Sequence, residues 1–351
     1  MSGSGARLTF LGTGTSQGVP IIGCQCKVCR SADPRDKRFR ASALVEYGGL
    51  NILIDAGPDF RSQMLAHGIS HLDAILLTHN HKDHTGGLDD MRSLNYIDRR
   101  AAEIYCERNV LEDLIREYPY VFKFPKYPGA PEWMLHVIDE RPFLISKDST
   151  DKELVWVHDI GYHYRLPDGR LVPTARCLDD MIDDAEVASS GGSTASLRSA
   201  PTLASHSDAP VPPLNVPRVA VVEPSRLATS AITVIPIRGL HDKLPVLGFR
   251  FGDIAYLTDM SSIPESEFPK LEGLKHLTLN TVSYNLHHSH FSLQQTLDLA
   301  DRIRPTHTWL THLSHSFPVH QEFCQELERM CSEQHIHSIV RPAYDGLVIE
   351  E

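Results

Sequence analysis

Thr78-His79-Asn80-His81-Lys82-Asp83-His84 places three imidazoles and a carboxylate within six residues of each other. Ala74-Ile75-Leu76-Leu77 ahead of it is short and apolar, as a buried strand is, and Gly86-Gly87-Leu88-Asp89-Asp90-Met91 behind it reads as the start of a helix. The polar residues therefore sit on a strand-to-helix loop, where alternate side chains converge on one point and the next pair turns to a second point nearby. Burying several ionisable groups without partners is costly. Imidazole nitrogen and carboxylate oxygen are the donors that Zn, Mn or Fe(II) accept. Two metal ions fit this layout better than one.

Working outward, further donors follow apolar, β-branched segments. His241 comes after Ile232-Thr233-Val234-Ile235-Pro236-Ile237, Asp259 after Ile254-Ala255-Tyr256-Leu257-Thr258, and His312 after Thr308-Trp309-Leu310-Thr311. Asp55 closes Asn51-Ile52-Leu53-Ile54. The H-x-H-x-D-H string and these strand-end residues together resemble the metallo-β-lactamase superfamily. The resemblance implies an α/β fold, an αββα sandwich of two mixed β-sheets flanked by helices, which the order of β-rich halves and helices also suggests. It further implies that His79, His81 and His241 hold one divalent ion, that Asp83, His84 and His312 hold another, and that Asp259 bridges them. Two such ions, Mn or Zn, about 3.5–4 Å apart make hydroxide available at neutral pH, so hydrolysis by a bridging hydroxide is the expected chemistry. Asp55 matches a residue that orients a ligand instead of binding metal; a strand-terminating turn is an equal reading.

Cys24-Gln25-Cys26-Lys27-Val28-Cys29 gathers three thiols, out of seven Cys in the chain. The odd count, with no charged-then-apolar leader ahead of Leu8, argues against disulfides. Three close thiolates want a fourth donor to complete a closed tetrahedral zinc site, and His315, three residues beyond His312, is the candidate. Both clusters, with the opening Leu8-Thr9-Phe10-Leu11-Gly12-Thr13-Gly14-Thr15 and the late Thr311-His312-Leu313-Ser314-His315, are similar to the PhnP-type branch of the superfamily over roughly residues 6–145 and 230–350. That branch resembles phosphodiesterases acting on phosphoribosyl 1,2-cyclic phosphate and related compounds, so the similarity implies a small-molecule, cyclic phosphodiester as substrate. It also implies a further catalytic histidine near the start of the helix before the last strand. His290, in His287-His288-Ser289-His290-Phe291-Ser292-Leu293, occupies that place, with His288 as the alternative, and would act on the leaving oxygen or bind the phosphate. Asp83 is assigned a catalytic role beside its metal-binding one.

One domain spanning residues 1–351 is expected, carrying an insertion at 148–217. Residues 183–217 are rich in Ser, Ala, Gly and Pro and read as disordered, because they cannot bury enough apolar surface to offset ordering entropy. Leu154-Val155-Trp156-Val157 and Tyr162-His163-Tyr164-Arg165-Leu166 suggest a hairpin around Pro167-Asp168-Gly169, either a lid or an ornament. Helices are expected at 86–97, 107–117, 292–304 and 318–334. Arg92, Asp59 and Arg61 lie near the motifs and read first as salt-bridging residues. A net charge of −11 weighs against a nucleic-acid partner despite the basic run Arg35-Asp36-Lys37-Arg38-Phe39-Arg40. No run approaches the ~18 apolar residues of a membrane span. A soluble, cytoplasmic protein is therefore expected, and a homodimer is the default oligomer. Two other readings share parts of the pattern. A tRNA 3′-processing nuclease shares the H-x-H-x-D-H core and the Leu11-Gly12-Thr13-Gly14 opening. A non-catalytic, metal-stabilised binding protein of the pyrroloquinoline quinone biosynthesis branch shares the Cys cluster.

Overall fold

Short β-branched segments separated by turns become the strands β1 (Arg7–Gly12), β2 (Ser42–Tyr47), β3 (Leu50–Ile54), β4 (Ala74–Leu76), β5 (Ala102–Cys106), β6 (Trp133–Val137), β7 (Phe143–Ser146), β8 (Glu153–Val157), β9 (Gly161–Arg165), β10 (Leu171–Pro173), β11 (Ala231–His241), β12 (Leu244–Phe251), β13 (Ile254–Leu257), β14 (His276–Asn280), β15 (His307–Thr311), β16 (Ile339–Pro342) and β17 (Val348–Glu350). The structure is a computed structural model that describes residues 5–123, 126–146, 153–157, 161–165, 171–173 and 231–351. Among these residues the strands form two seven-stranded sheets, ordered β17-β1-β2-β3-β4-β5-β6 and β16-β15-β14-β13-β12-β11-β7. Both are mixed. Strands β3 to β6 run parallel in the first sheet, as do β13 to β16 in the second, and the other pairings are antiparallel.

Parallel neighbours need crossover connections, and helices supply them. Phe60–His67 joins β3 to β4, Arg108–Glu117 joins β5 to β6, Leu293–Ile303 joins β14 to β15, and His320–Glu333 joins β15 to β16. The helix at 293 starts where it does because Ser292 caps it. Its hydroxyl accepts from Gln295 N–H while the Gln295 side chain accepts from Ser292 N–H.

The inner faces of the sheets meet in one core, where Phe10, Val45, Ile52 and Leu76 pack with Phe249, Phe251, Ile254 and Tyr256. On the outer face of the first sheet, Leu53, Leu77 and Ile104 pack against Val110, Leu111 and Leu114 of a helix. Leu293, Leu297, Leu310, Phe323 and Leu327 do the same on the second. This is the αββα layering expected from the sequence. Each fully buried large side chain contributes ~1.5–3 kcal/mol of transfer free energy, so the site described below is held at the rim of a stiff double sheet.

Two local details differ from the sequence reading. The expected helix 86–97 begins late, as a 3-10 turn over Leu88–Met91 followed by α-helix over Arg92–Asp98. Gly87 is pressed against the Gly57 carbonyl, 2.1 Å from where a Cβ would stand, so the chain passes through this point before it can coil. The loop read between strand and helix is itself one helical turn, Lys82–Thr85. A single turn is too short to leave a periodic signature; it keeps the His84 ring 4.3 Å from that of His79 while Asp83 and His84 join a donor group of their own with Asp259 and His312. The β9–β10 pairing agrees with a hairpin around 167–169. The 183–217 segment and the question of a lid lie outside the described residues.

Candidate metal centre and cleft

Asp55, Asp259 and His312 each lie one or two residues past a strand end, and each adopts a left-handed backbone, with φ of 60°, 57° and 56°. Asp and His tolerate this region better than most side chains, but it still carries a cost that surrounding structure must offset. The kink turns each side chain across the sheet end instead of letting it follow the strand. Asp55 and Asp259 come from opposite sheets. A backbone bond from Leu247 N–H to Thr78 C=O, at 3.0 Å, ties the second sheet to the histidine-rich loop of the first.

These turns bring the proposed ligands together. The donor atoms of His79, His81 and His241 lie within 4.8 Å of one another, and so do those of Asp83, His84, Asp259 and His312. The rings of His79 and His81 stand 4.6 Å apart, and those of His81 and His241 5.0 Å. Asp259 also shares a group with His241 and His290, which puts it between the two sets. Its Oδ2 is 3.2 Å from His84 Nε2 and its Oδ1 is 3.1 Å from His312 Nε2.

Hydrogen bonds to the far ring nitrogens set which nitrogen faces inward. Thr78 N–H and Thr78 Oγ1 donate to Asp55, both at 2.8 Å. The single hydroxyl proton of Thr78 is thereby used, so Thr78 Oγ1 accepts from His79 Nδ1 at 2.9 Å. His84 Nδ1 donates to Asp55 Oδ2 at 2.7 Å, and His241 Nδ1 to the Ser289 carbonyl at 2.6 Å. In His79 and His241 Nδ1 carries the proton and Nε2 presents a lone pair to the site, and in His84 the bond to Asp55 makes Nε2 the nitrogen that a cation would take in exchange for a proton.

The donor set passes a physical test for cations. His79 Nε2, His84 Nε2 and both ring nitrogens of His312 are buried with no hydrogen-bond partner among the described residues. Such groups cost ~1–3 kcal/mol each when left unpaired, and coordination would satisfy the inward-facing nitrogens at once. The charges agree. Burial alone would raise Asp259, but His312 and His84 outweigh it and hold the carboxyl well below its usual range. Burial would lower His84, yet Asp259, Asp55 and Asp83 hold it well above. Burial pushes His79 well below its ordinary value, with His84 adding to the effect. The carboxylates here are arranged to face positive charge.

The second cluster is equally close-knit. The Sγ atoms of Cys24, Cys26 and Cys29 lie 3.2, 3.5 and 3.6 Å from His315 Nδ1. A tetrahedral zinc with ordinary bond lengths has S···N edges of about 3.5 Å, so the four donors already outline its coordination shell. Cys29 N–H donates to Cys26 Sγ, which brings the Cys26 thiol down to about 6, while burial pushes Cys29 up to about 11.

Between the clusters runs a cleft of about 280 Å³, lined by Thr15, Ser16, Gln17 and Ile21, by His287, and by His290 and His312 of the paired site. His290 is buried, and its Nδ1 has no hydrogen-bond partner among the described residues and stands 3.8 Å from Asp259 Oδ1. Burial, reinforced by His312, lowers its pKa to about 2. The alternative, His288, is exposed. Arg92 pairs with Asp89, Asp59 with Arg40 at 3.0 Å, and Arg61 is exposed; none of the three lines the cleft. The basic run 35–40 is not a charged surface either. Arg35 pairs with Asp33, and Arg38 is buried, donating to Thr13 Oγ1 and the Ala343 carbonyl.

Sequence reading missed Thr78, Ser289 and the 15–17 stretch. A hydroxyl or a carbonyl behind a ligand has no pattern of its own, although Thr78 adjoins the motif directly.

The profile of the Beta-lactamase superfamily domain matches residues 50–146 and 181–313. The chain is 34% identical over 349 residues to an octanoyltransferase of Porphyromonas gingivalis, a match covering 98% of this chain and 52% of that protein. It is 32% identical over 119 residues to the coenzyme PQQ synthesis protein B of Methylobacterium nodulans, covering 30% of this chain and 38% of that one. The chain thus spans about half, or less, of the length of these curated relatives. Among solved structures it resembles a diphosphatase from the PhnP family, with a TM-score of 0.65 and 28% identity, covering 99% of this chain and 97% of the other.

Proposed function

This chain belongs to the beta-lactamase superfamily, and from that premise we propose that it is a hydrolase that cleaves a small cyclic phosphodiester with two divalent ions, Mn or Zn, at the paired site, a reading supported by its likeness to the PhnP-family diphosphatase. The observation that carries the reading is the convergence of seven donors, in which the buried His84 Nε2 and His312 Nε2 face Asp259 and the buried His79 Nε2 has no hydrogen-bond partner among the described residues. His79, His81 and His241 would hold one ion, Asp83, His84 and His312 the other, and Asp259 would bridge. Bound there, two divalent ions supply Lewis acidity towards a phosphoryl oxygen and an ionised water. A third ion, zinc, would sit in the Cys24, Cys26, Cys29 and His315 shell and serve structure.

The residues of the chain divide the remaining work. Asp55 and Ser289 hold the imidazoles in the tautomers that coordination needs. Asp83 is kept ionised because His84 outweighs its burial, and it accepts the proton of the attacking water. His290 is neutral at physiological pH and acts by donating an N–H hydrogen bond to the phosphoryl or leaving oxygen. In the net reaction water oxygen bonds to phosphorus, the bond from phosphorus to the leaving oxygen breaks, and the water proton ends on that oxygen. The cleft is near the lower end of the ~300–1,000 Å³ typical of small-molecule sites, which favours a small ester over a nucleic-acid strand. Thiols reserved for zinc fit a reducing, cytoplasmic setting.

The match to the octanoyltransferase favours a second reading, hydrolysis of an acyl ester at the same site. Metal analysis and turnover decide between the readings. Purified protein should hold two chelatable transition-metal ions and one tightly bound zinc. It should hydrolyse bis(p-nitrophenyl) phosphate and 2′,3′-cyclic nucleotides in preference to p-nitrophenyl octanoate or precursor tRNA, and Asp259→Asn should abolish this while remaining folded. Preference for the octanoate overturns the phosphodiesterase reading. Metal-free protein with undiminished turnover overturns both.

A further inference from the structure

The cleft carries information about the part of the substrate that does not react. Among the described residues, none that lines it is Lys, Arg, Asp or Glu. The guanidinium of Arg40, which reaches the neighbouring backbone, is committed to the Ser16 carbonyl at 2.9 Å and to Asp59 at 3.0 Å. What the cleft offers instead is neutral hydrogen bonding. Thr15, Ser16 and Gln17 have side chains with no hydrogen bond to any described residue, and they stand beside apolar Ile21 and Val282.

His287 adds a donor whose direction can be worked out. Ser289 N–H can only donate, and it does so to His287 Nδ1 at 3.3 Å. That nitrogen is therefore the unprotonated one, and the neutral ring carries its hydrogen on Nε2. The Ser289 peptide thus orients two imidazoles at once, since its carbonyl takes the Nδ1 proton of His241 at 2.6 Å. The His287 ring lies 5.2 Å from that of His290, beside the place assigned to the reacting phosphate. It is exposed to the cleft and contributes nothing to the core.

We propose that this cleft binds the alcohol-bearing half of the substrate, that the group it takes is neutral and polyhydroxylated, such as an unphosphorylated sugar, and that His287 is the specificity residue donating Nε2–H to one of its hydroxyls. The inference rests on the phosphodiesterase reading above. A second phosphate on the sugar would enter the cleft with no Lys or Arg among its described lining residues to meet it, and would lose water without replacement.

The test compares three esters in the metal-loaded protein: a 2′,3′-cyclic nucleoside monophosphate with a free 5′-hydroxyl, the same compound bearing a 5′-phosphate, and bis(p-nitrophenyl) phosphate, which has no hydroxyl. The wild-type kcat/KM should favour the 5′-hydroxyl compound over its 5′-phosphate by about tenfold or more. His287→Ala should lower kcat/KM for the 5′-hydroxyl compound about tenfold further than for bis(p-nitrophenyl) phosphate, the scale of one hydrogen bond. His287→Gln, which keeps an N–H donor, should recover part of the difference. Better turnover of the 5′-phosphate, or equal losses on all three esters in His287→Ala, overturns the inference and leaves the hydrolase reading standing. Failure of the wild type to cleave any of the three removes the parent reading and this one with it.

Discussion

Replacing Asp55 by Asn tests the electrostatic logic of the whole centre with a change of one atom. Asp55 is fully buried, accepts from Thr78 N–H at Oδ1, and accepts at Oδ2 from both the Thr78 hydroxyl and His84 Nδ1. In Asp55→Asn the carbonyl oxygen must stay on Thr78 N–H, because the reverse orientation sets donor against donor. An amide NH2 then faces Thr78 Oγ1 and His84 Nδ1. Both must become acceptors, so the Thr78 hydroxyl turns its proton to His79 Nδ1, and the ring protons of His79 and His84 move to Nε2. The two nitrogens that should bind metal, one in each donor set, are blocked together. Losing a ligand's orienting partner typically costs 10–100-fold in metal affinity, or about 1.4–2.7 kcal/mol per ion. The metal-free protein should lose ~1.5–3 kcal/mol with its charge-assisted bonds. Asn tolerates the left-handed backbone at this position, where φ is 60°, so strain does not confuse the result. Chelator competition measures both affinities, and denaturant unfolding of the stripped protein measures the rest. If both ions bind the variant as tightly as the wild type, the tautomer argument fails.

Three further outcomes follow from other parts of the molecule. A Cβ at Gly57 would stand 2.0 Å from the Asp83 carbonyl oxygen, so Gly57→Ala should destabilise the fold by ~1–3 kcal/mol or more; an unchanged urea midpoint would show that the loop yields freely. His315→Ala should lose one equivalent of zinc by mass spectrometry and lower Tm, while the chelatable pair remains; full zinc content would exclude the Cys3His assignment. Burial raises the Asp345 carboxyl from 3.8 to about 7, against hydrogen bonds from Phe39 N–H and Thr13 Oγ1. Because the folded form holds this proton more tightly than the unfolded chain, its stabilising contribution is complete below about pH 4 and is lost as pH rises through about 7. The stability of wild type relative to Asp345→Asn should therefore fall across that window, and a flat difference would exclude the shift.

What could be read in advance was set by chemistry that few side chains can perform. Metal ligands are drawn from few side chains, chiefly His, Cys, Asp and Glu, so His241, Asp259 and His312 stood out as such residues at the ends of apolar runs. The cleft had no comparable signal. Thr15, Ser16 and Gln17 are ordinary loop residues, and they face the site only because Leu313 N–H bonds to the Thr13 carbonyl at 2.8 Å, a contact between chain segments far apart in sequence. Long-range contacts also explain why the run at 35–40 misleads. Arg38 looks like a surface charge until the Ala343 carbonyl and Thr13 are brought beside it. The left-handed turns at Asp55, Asp259 and His312 were likewise invisible, because a residue type permits such a conformation without requiring it.

The stretch from Thr311 to Ser316 shows why the two clusters belong to one device. His312 leaves β15 through its left-handed turn into the paired site, Leu313 takes the Thr13 carbonyl, Ser314 donates to the Val282 carbonyl at 2.6 Å, and His315 closes the thiolate set. Each bond fixes a different wall of the cleft: the 13–17 stretch, the segment leading to His287, and the Cys loop with Ile21. A zinc at the Cys loop would act on none of the reacting atoms. On the proposed function it would anchor the wall that selects the alcohol, while the strand ends of the double sheet would position the ligands of the paired ions. Chemistry and selection are thus carried by separate rigid supports that meet at a few residues. Thr15, Ser16 and Gln17 line the cleft without belonging to either donor group, whereas His312 belongs to both the wall and the paired site.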